Sequence, residues 1–296
     1  MRVTSRFARH CAVLTAGLAT AAALTACGSP TEDDGTVSIV ASTNVWGSVA
    51  SAVAGPDAQV TSIISDPAAD PHSFETSATD TAKITDADLV VFNGGHYDEF
   101  IEKAIDGKDK RTVEAFEQRT DKNDDNEHLW YDIPTVAAVA DQIATQLGEV
   151  DTAHAAAYTE RATTFKNQLI GISTITVAIA TQHPNAPVAQ SEPLAHYLLV
   201  AATAQDKTPH EFQEAIEQET DPAPAAVAAT RDLISEKQVK ALIYNIQTQD
   251  KITQDLRATA QAAGIPVVEV TETLPDGVDY VQWQTANAKA LAAALR

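Results

Sequence analysis

Short apolar runs at Val37–Ala41, Val60–Ile64 and Leu89–Phe92, each bounded by turn residues, open the globular part of the chain. Runs of that length without polar alternation predict parallel strands buried on both faces. Helical stretches at Val45–Ala54 and Thr81–Ala87 fall between them, so strand and helix alternate in the manner of an α/β lobe. Apolar residues then recur at helical spacing from Thr135 to Val150, with Pro134 where proline suits a helix start. A segment poor in breakers follows, Thr152 to Gln182, interrupted only by Gly171 and ended by Pro184 and Pro187. A helix of that length would reach ~45 Å, more than one small lobe needs, and reads as a spine joining two. The second half repeats the grammar, with strands expected at Val188–Gln190, Val239–Tyr244 and Val267–Val270. Its helices are expected at Leu194–Ala204, His210–Glu217, Pro224–Glu236, Thr248–Ala263 and Val281–Leu295. The fold class expected is α/β, with two Rossmann-like lobes of mostly parallel sheet joined by a long spine helix.

The start of the chain departs from this pattern. Arg2, Arg6 and Arg9 precede an apolar run from Cys11 to Leu24, then Leu24-Thr25-Ala26-Cys27. That is the layout of a secretory signal peptide, with an apolar core too short to span a bilayer. Small residues directly before a cysteine form a bacterial lipobox, so cleavage before Cys27 and lipidation of its side chain are expected. Residues 28–35 are polar and rich in breakers, as in a flexible tether. The expected division is 1–26 signal peptide, 27–35 lipidated tether, 36–150 first lobe, 151–183 spine and 184–296 second lobe. The location expected is the outer face of the cell membrane.

Composition narrows the chemistry. Residues 1–26 carry three arginines and no acid, so their removal moves the formal net charge from −21 to −24. Clustered Lys and Arg, which phosphate binding needs, are missing, and nucleic acid is excluded as a partner. A surplus of acids favours cations. Cys27 is the only cysteine after the leader, which removes internal disulfides and thiolate metal sites.

Four places carry candidate chemistry, each near a strand exit or a helix start. They are Asp70-Pro71-His72-Ser73-Phe74-Glu75, Glu127-His128-Leu129-Trp130-Tyr131-Asp132, Ser191-Glu192-Pro193 running on to His196-Tyr197, and Thr271-Glu272-Thr273-Leu274-Pro275. Pro71 stiffens the chain before His72. Acids directly after strands point into the crevice of an open α/β sheet. Taken alone, a histidine in a loop is a solvated residue, and Glu192 could merely serve the start of the helix at Pro193.

Together these segments resemble the metal-binding lipoproteins of bacterial ABC importers for manganese and zinc, of the zinc-uptake and pneumococcal-surface-adhesin type. The similarity runs over about residues 36–296. It rests on Asp70-Pro71-His72 with Phe74 two residues on, the Leu89-Val-Val-Phe-Asn93-Gly94 strand, His128 with Trp130 and Asp132, Glu192 five residues before Tyr197, and Glu272 after Thr271. The resemblance implies a substrate-binding lipoprotein that holds one manganese or zinc ion between its lobes through His72, His128, Glu192 and Glu272. It also implies delivery to an ABC permease with its ATPase, membrane attachment through a lipid anchor, and a monomer that is not an enzyme. A long helix in such a protein limits the lobes to a small tilt. The chain departs from the family at Asn126-Glu127, where Asp-Pro is usual, at Pro134, displaced from its usual place after the Asp, and at Glu272, where Asp is commoner. Asp276 and Asp279 are substitutes for Glu272. His196, on a helix beside Glu192, is a candidate to support the ligands from behind, and His96 falls where the family carries a structural turn. His154, His183 and His210 lack such surroundings.

Oxygen-rich donors suit Mn²⁺, and zinc accepts the same groups. The acidic segment Asp121–Glu127, expected to be a solvated loop, has no histidine where zinc-specific relatives carry a histidine-rich loop, which leans the reading toward manganese. Two other readings stand beside this one. An extracellular metallohydrolase would need a water position and a general base, and the chain has no His-Glu-x-x-His, Gly-x-Ser-x-Gly or phosphate loop. A surface adhesin with a structural metal is the third.

Overall fold

The computed structural model describes residues 35–66, 69, 71, 74–218 and 220–296. The expected signal peptide, Cys27 and all of the tether but Gly35 lie outside the described residues, as do Asp70, His72 and Ser73. Residues 36–296 form one compact unit.

In the first lobe, strands β1 (Val37–Thr43), β2 (Ala58–Ile64), β3 (Leu89–Phe92) and β4 (Thr112–Glu114) make a sheet of order β2-β1-β3-β4. All its pairs are parallel, with Ile39 opposite Val60 on one side and Leu89 on the other. Helices α1 (Asn44–Ala54), α2 (Ala78–Asp86), α3 (Glu99–Ile105) and α4 (Ala115–Gln118) connect them. After α5 (Ile133–Val150) comes the spine, α6 (Ala155–Gln182). The second lobe carries β5 (Pro187–Gln190), α7 (His196–Ala201), β6 (Gln205–Asp206), α8 (His210–Glu217), α9 (Pro224–Ser235), β7 (Leu242–Asn245), α10 (Lys251–Ala263), β8 (Val267–Val270) and α11 (Tyr280–Ala294). Its sheet, of order β6-β5-β7-β8, is again wholly parallel.

Several boundaries differ from the sequence expectation for local reasons. The spine starts at Ala155 rather than Thr152, after a turn in which His154 Nδ1 meets Asp151 Oδ2 at 2.6 Å. The helix expected at Leu194–Ala204 is a 3-10 turn, Pro193–Ala195, followed by the short α7. The helix expected from Thr248 begins at Lys251, because Asp250 and Thr253 form a reciprocal capping box that fixes its start. The short β4, β6, α3 and α4 were not foreseen.

The spine buries Tyr158, Ala162, Phe165, Leu169, Ile172, Thr176 and Ile179. These recur alternately four and three residues apart, one stripe of a helix. The stripe belongs to a single apolar cluster that also takes in Ile39 and Val91 of the first sheet and Ile243 and Val268 of the second. Separate clusters back the outer faces, around Ile84 and Phe100 in the first lobe and around Phe212 and Leu256 in the second. Each sheet is therefore covered on both sides, as parallel strands require, and the inner cover is shared by both lobes.

Candidate metal centre

Strand order places the acids. In each sheet the order reverses between the first strand and the third, and the crevice at such a switch point lies beyond the strands' carboxyl ends. Glu192 leaves β5 there, Asn245 ends β7, and Glu272 leaves β8 on the neighbouring strand. From the first lobe, the turn after β3 reaches the same place. Gly94 and Gly95 adopt φ of 74° and 67°, and a Cβ at Gly94 would stand 2.2 Å from Glu114 Oε1. The turn is held by buried Asp98, which accepts from the N–H groups of Asn93 at 2.7 Å and Gly94 at 2.8 Å. It delivers Tyr97, whose hydroxyl donates to Glu272 Oε2 at 3.1 Å. Asn245 Nδ2 donates to Glu272 Oε1 at 2.9 Å, and the Glu272 N–H donates to Gln247 Oε1 at 2.5 Å.

Glu192 is 6 % exposed, and its Oε1 has no hydrogen-bond partner among the described residues. Burial pushes its carboxyl well above the usual range and the nearby Glu272 pushes it further, while the Asn245 amide and Thr248 hydroxyl pull it back. No side-chain hydrogen bond from Glu192 caps the following turn. The reading of Glu192 as a helix cap therefore fails on geometry.

His128 is 2 % exposed and meets Trp130 edge-on at 5.3 Å between ring centres and Tyr97 at 6.3 Å. Its Nδ1 lies 3.2 Å from Asn126 Oδ1 and 3.7 Å from Glu217 Oε1. Glu127, His128 and Glu217 can bring one donor atom each within 4.8 Å of one another. Burial, then Glu217 and Glu272, raise the Glu127 carboxyl to about 8, and burial raises Glu217 to about 7.

Glu192 thus stands beside Glu272, and Tyr97, whose hydroxyl reaches Glu272, presents its ring to His128 at 6.3 Å. Among the described residues the acids that close on His128 itself are Glu127 and Glu217. His72 lies outside the described residues. Asp276 and Asp279 do not join the group, since both are exposed and Asp279 caps α11 through a capping box with Gln282. His196 does not support Glu192: its Nε2 lies 2.7 Å from Asp124 Oδ2. The Asp121–Glu127 segment is accordingly pinned at Asp124 rather than wholly solvated. His96 stands exposed in the glycine turn, at φ 74° and beside Glu99. Glu217 was missed, because α8 reads as an ordinary amphipathic surface helix and nothing in its spacing marks one acid as inward. Glu127 could have been noticed from its place beside His128.

The model of the family described as zinc-uptake complex component A, periplasmic (ZnuA), matches residues 39–294. The chain belongs to this family. Among curated relatives, the manganese-binding lipoprotein MntA of Bacillus subtilis is 28% identical over 161 residues, 50% of this chain and 52% of that protein. The match thus spans about half the length of the curated relative. Among solved structures, the periplasmic zinc-binding protein TroA of Treponema pallidum superposes with a TM-score of 0.74 at 17% identity, covering 88% of this chain and 99% of that one. The laminin-binding protein Lmb of Streptococcus agalactiae does so with a TM-score of 0.74 at 23% identity, covering 88% and 99%. At such identities the likeness is one of fold, and the two-lobed α/β architecture of this ZnuA-family chain is that of these neighbours.

Proposed function

We propose that this ZnuA-family chain is the lipid-anchored receptor of an ABC importer, capturing a manganese or zinc ion between its lobes and passing it to the permease and its ATPase. The ligands are His72 and His128 from the first lobe and Glu192 and Glu272 from the second. The observation that supports this most is the orphaned, buried Glu192 oxygen beside Glu272. Burying one ionised carboxylate costs several kcal/mol and a second beside it costs more, unless a cation shares the site. A dication offsets that repulsion, and two imidazoles with two carboxylates suit borderline and hard metals alike. The oxygen-rich set and the histidine-free Asp121–Glu127 segment lean toward manganese. Binding needs neutral imidazoles and ionised carboxylates, so affinity falls in acid. Release follows when the importer separates the lobes. The chain acts as a receptor and not as an enzyme, and it works on the outer face of the membrane as a monomer.

Protein purified without chelators should carry close to one equivalent of metal, and competition between Mn²⁺ and Zn²⁺ should rank the two. His128→Ala should weaken binding at least ~10-fold while the fold persists, since the apolar clusters do not depend on this ring. Unchanged stoichiometry and affinity by calorimetry would sink the assignment. If the metal were only structural, as in the adhesin reading, stripping it would unfold the protein, whereas a receptor survives unloaded.

A further inference from the structure

We propose that Asn126 is a positioning residue that sets which nitrogen of His128 carries the proton and ties that setting to the second lobe. The inference rests on the reading of His128 as a ligand only for its metal consequence. Asn126 Oδ1 lies 3.0 Å from the backbone N–H of His128, and Asn126 Nδ2 lies 3.1 Å from the carbonyl oxygen of Pro193. An N–H can only donate and a carbonyl can only accept, so these two partners fix the orientation of the amide. Its oxygen must face His128, and that same oxygen lies 3.2 Å from the ring Nδ1. An amide oxygen has no proton to give, so Nδ1 supplies it, and the lone pair that can bind a metal is left on Nε2. Glu217 Oε1, 3.7 Å from Nδ1, faces the same nitrogen with a second acceptor.

This arrangement selects between two metal geometries. Glu127, His128 and Glu217 could themselves hold a cation. Wherever the ring took part through Nδ1, the nitrogen that faces Glu217, Asn126 Oδ1 would crowd that same nitrogen with its own lone pair. Asn126 disfavours that alternative and directs the ring toward ligation through Nε2. The residue is itself held from the second lobe, by Pro193 and by the Tyr197 hydroxyl, which donates to its carbonyl at 2.7 Å. Pro193 directly follows Glu192, so one side chain joins the peptide beside one candidate ligand to the ring of another. A carboxylate in its place would still accept from Nδ1 but would set an oxygen against the Pro193 carbonyl. An amide serves both partners without having to hold an extra proton.

Nitrogen-15 NMR of histidine-labelled, metal-free protein tests this at a pH where the rings are neutral, with His128 assigned by the signal lost in His128→Gln. Wild type should show Nδ1 protonated and Nε2 bare. Asn126→Leu leaves Nδ1 only the more distant Glu217 oxygen, so that preference should weaken measurably and Mn²⁺ and Zn²⁺ should bind about 10-fold more weakly, the scale of losing a ligand's supporting partner. Asn126→Asp should keep the Nδ1 proton and still lose affinity. Finding Nε2 protonated in wild type, or in Asn126→Asp, overturns the proposal. So does an affinity loss in Asn126→Leu with the tautomer unchanged, which would make Asn126 a lobe tie alone. Full metal affinity in His128→Gln would instead defeat the ligand reading and leave the tautomer result standing.

Discussion

Buried acids in this molecule play two distinct parts, and substitution separates them. Asp98 is structural: it holds the backbone of the glycine turn, and burial raises its carboxyl to about 6. A carboxyl raised on folding keeps its proton longer when folded, so stability falls as pH climbs from the unfolded value near 4 through 6. Asp98→Asn removes this dependence. Its stability deficit against the metal-free wild type should therefore shrink between pH 4.5 and pH 7, by about 2 kcal/mol. Urea denaturation at both pH values reads this directly, and a deficit independent of pH would place the titration elsewhere. Glu192, as the proposed metal ligand, would play the other part. Glu192→Gln removes a carboxyl whose ionisation burial and Glu272 oppose, so the metal-free protein should gain stability at neutral pH while both metals bind more weakly. Glu192→His should shift preference toward zinc, which imidazole suits better than manganese. Melting of the metal-free variants beside Mn²⁺ and Zn²⁺ titrations gives both answers, and a loss of stability with an unaltered metal ratio would remove Glu192 from the site.

The spine offers the clearest contrast between elements. Phe165, buried and tilted against Tyr280 at 5.9 Å, lies on the stripe that faces both lobes, whereas Ile170 on the same helix is 60% exposed. Phe165→Ala should cost ~3–5 kcal/mol. Ile170→Ala should change stability by no more than ~0.5 kcal/mol, and similar losses in both would mean the buried face is wrongly identified. Elements with a strong local signal were legible in the sequence: β3 and β8 fall on the expected residues, and α1, α5, α8 and α9 within two of them. The short β4 and β6 were not, because two or three residues leave no periodicity and their pairing is decided by neighbours distant in the chain. The candidate site was legible in the same measure. Glu192 and Glu272 stand after strands that the apolar runs announce, and His128 stands before a helix marked by Pro134. Glu217 comes from a helix whose contact with His128 depends on how the lobes pack, and no local pattern encodes that.

At the scale of the whole molecule, attachment and architecture make separate demands. If Cys27 carries the lipid, Cys27→Ala should be shed into the medium with unchanged metal binding. Recovery of that variant in the membrane fraction at wild-type levels would remove the lipobox reading. Within the body, Tyr280 donates to the Trp130 carbonyl at 2.6 Å, Tyr131 to the Thr271 carbonyl at 3.0 Å, and Asn44 and Leu274 exchange two bonds, all between lobes. These bonds sit over the apolar cluster that the sheets and the spine share. The cluster makes the chain indivisible. Cutting at the start or end of the spine would give two fragments, each with a sheet of its own and an apolar face bared to water. Such halves would associate or precipitate rather than fold alone, so the architecture resists being shuffled one lobe at a time. A lineage carrying it can exchange residues at the junction and lengthen its surface loops, but it has to inherit both lobes together.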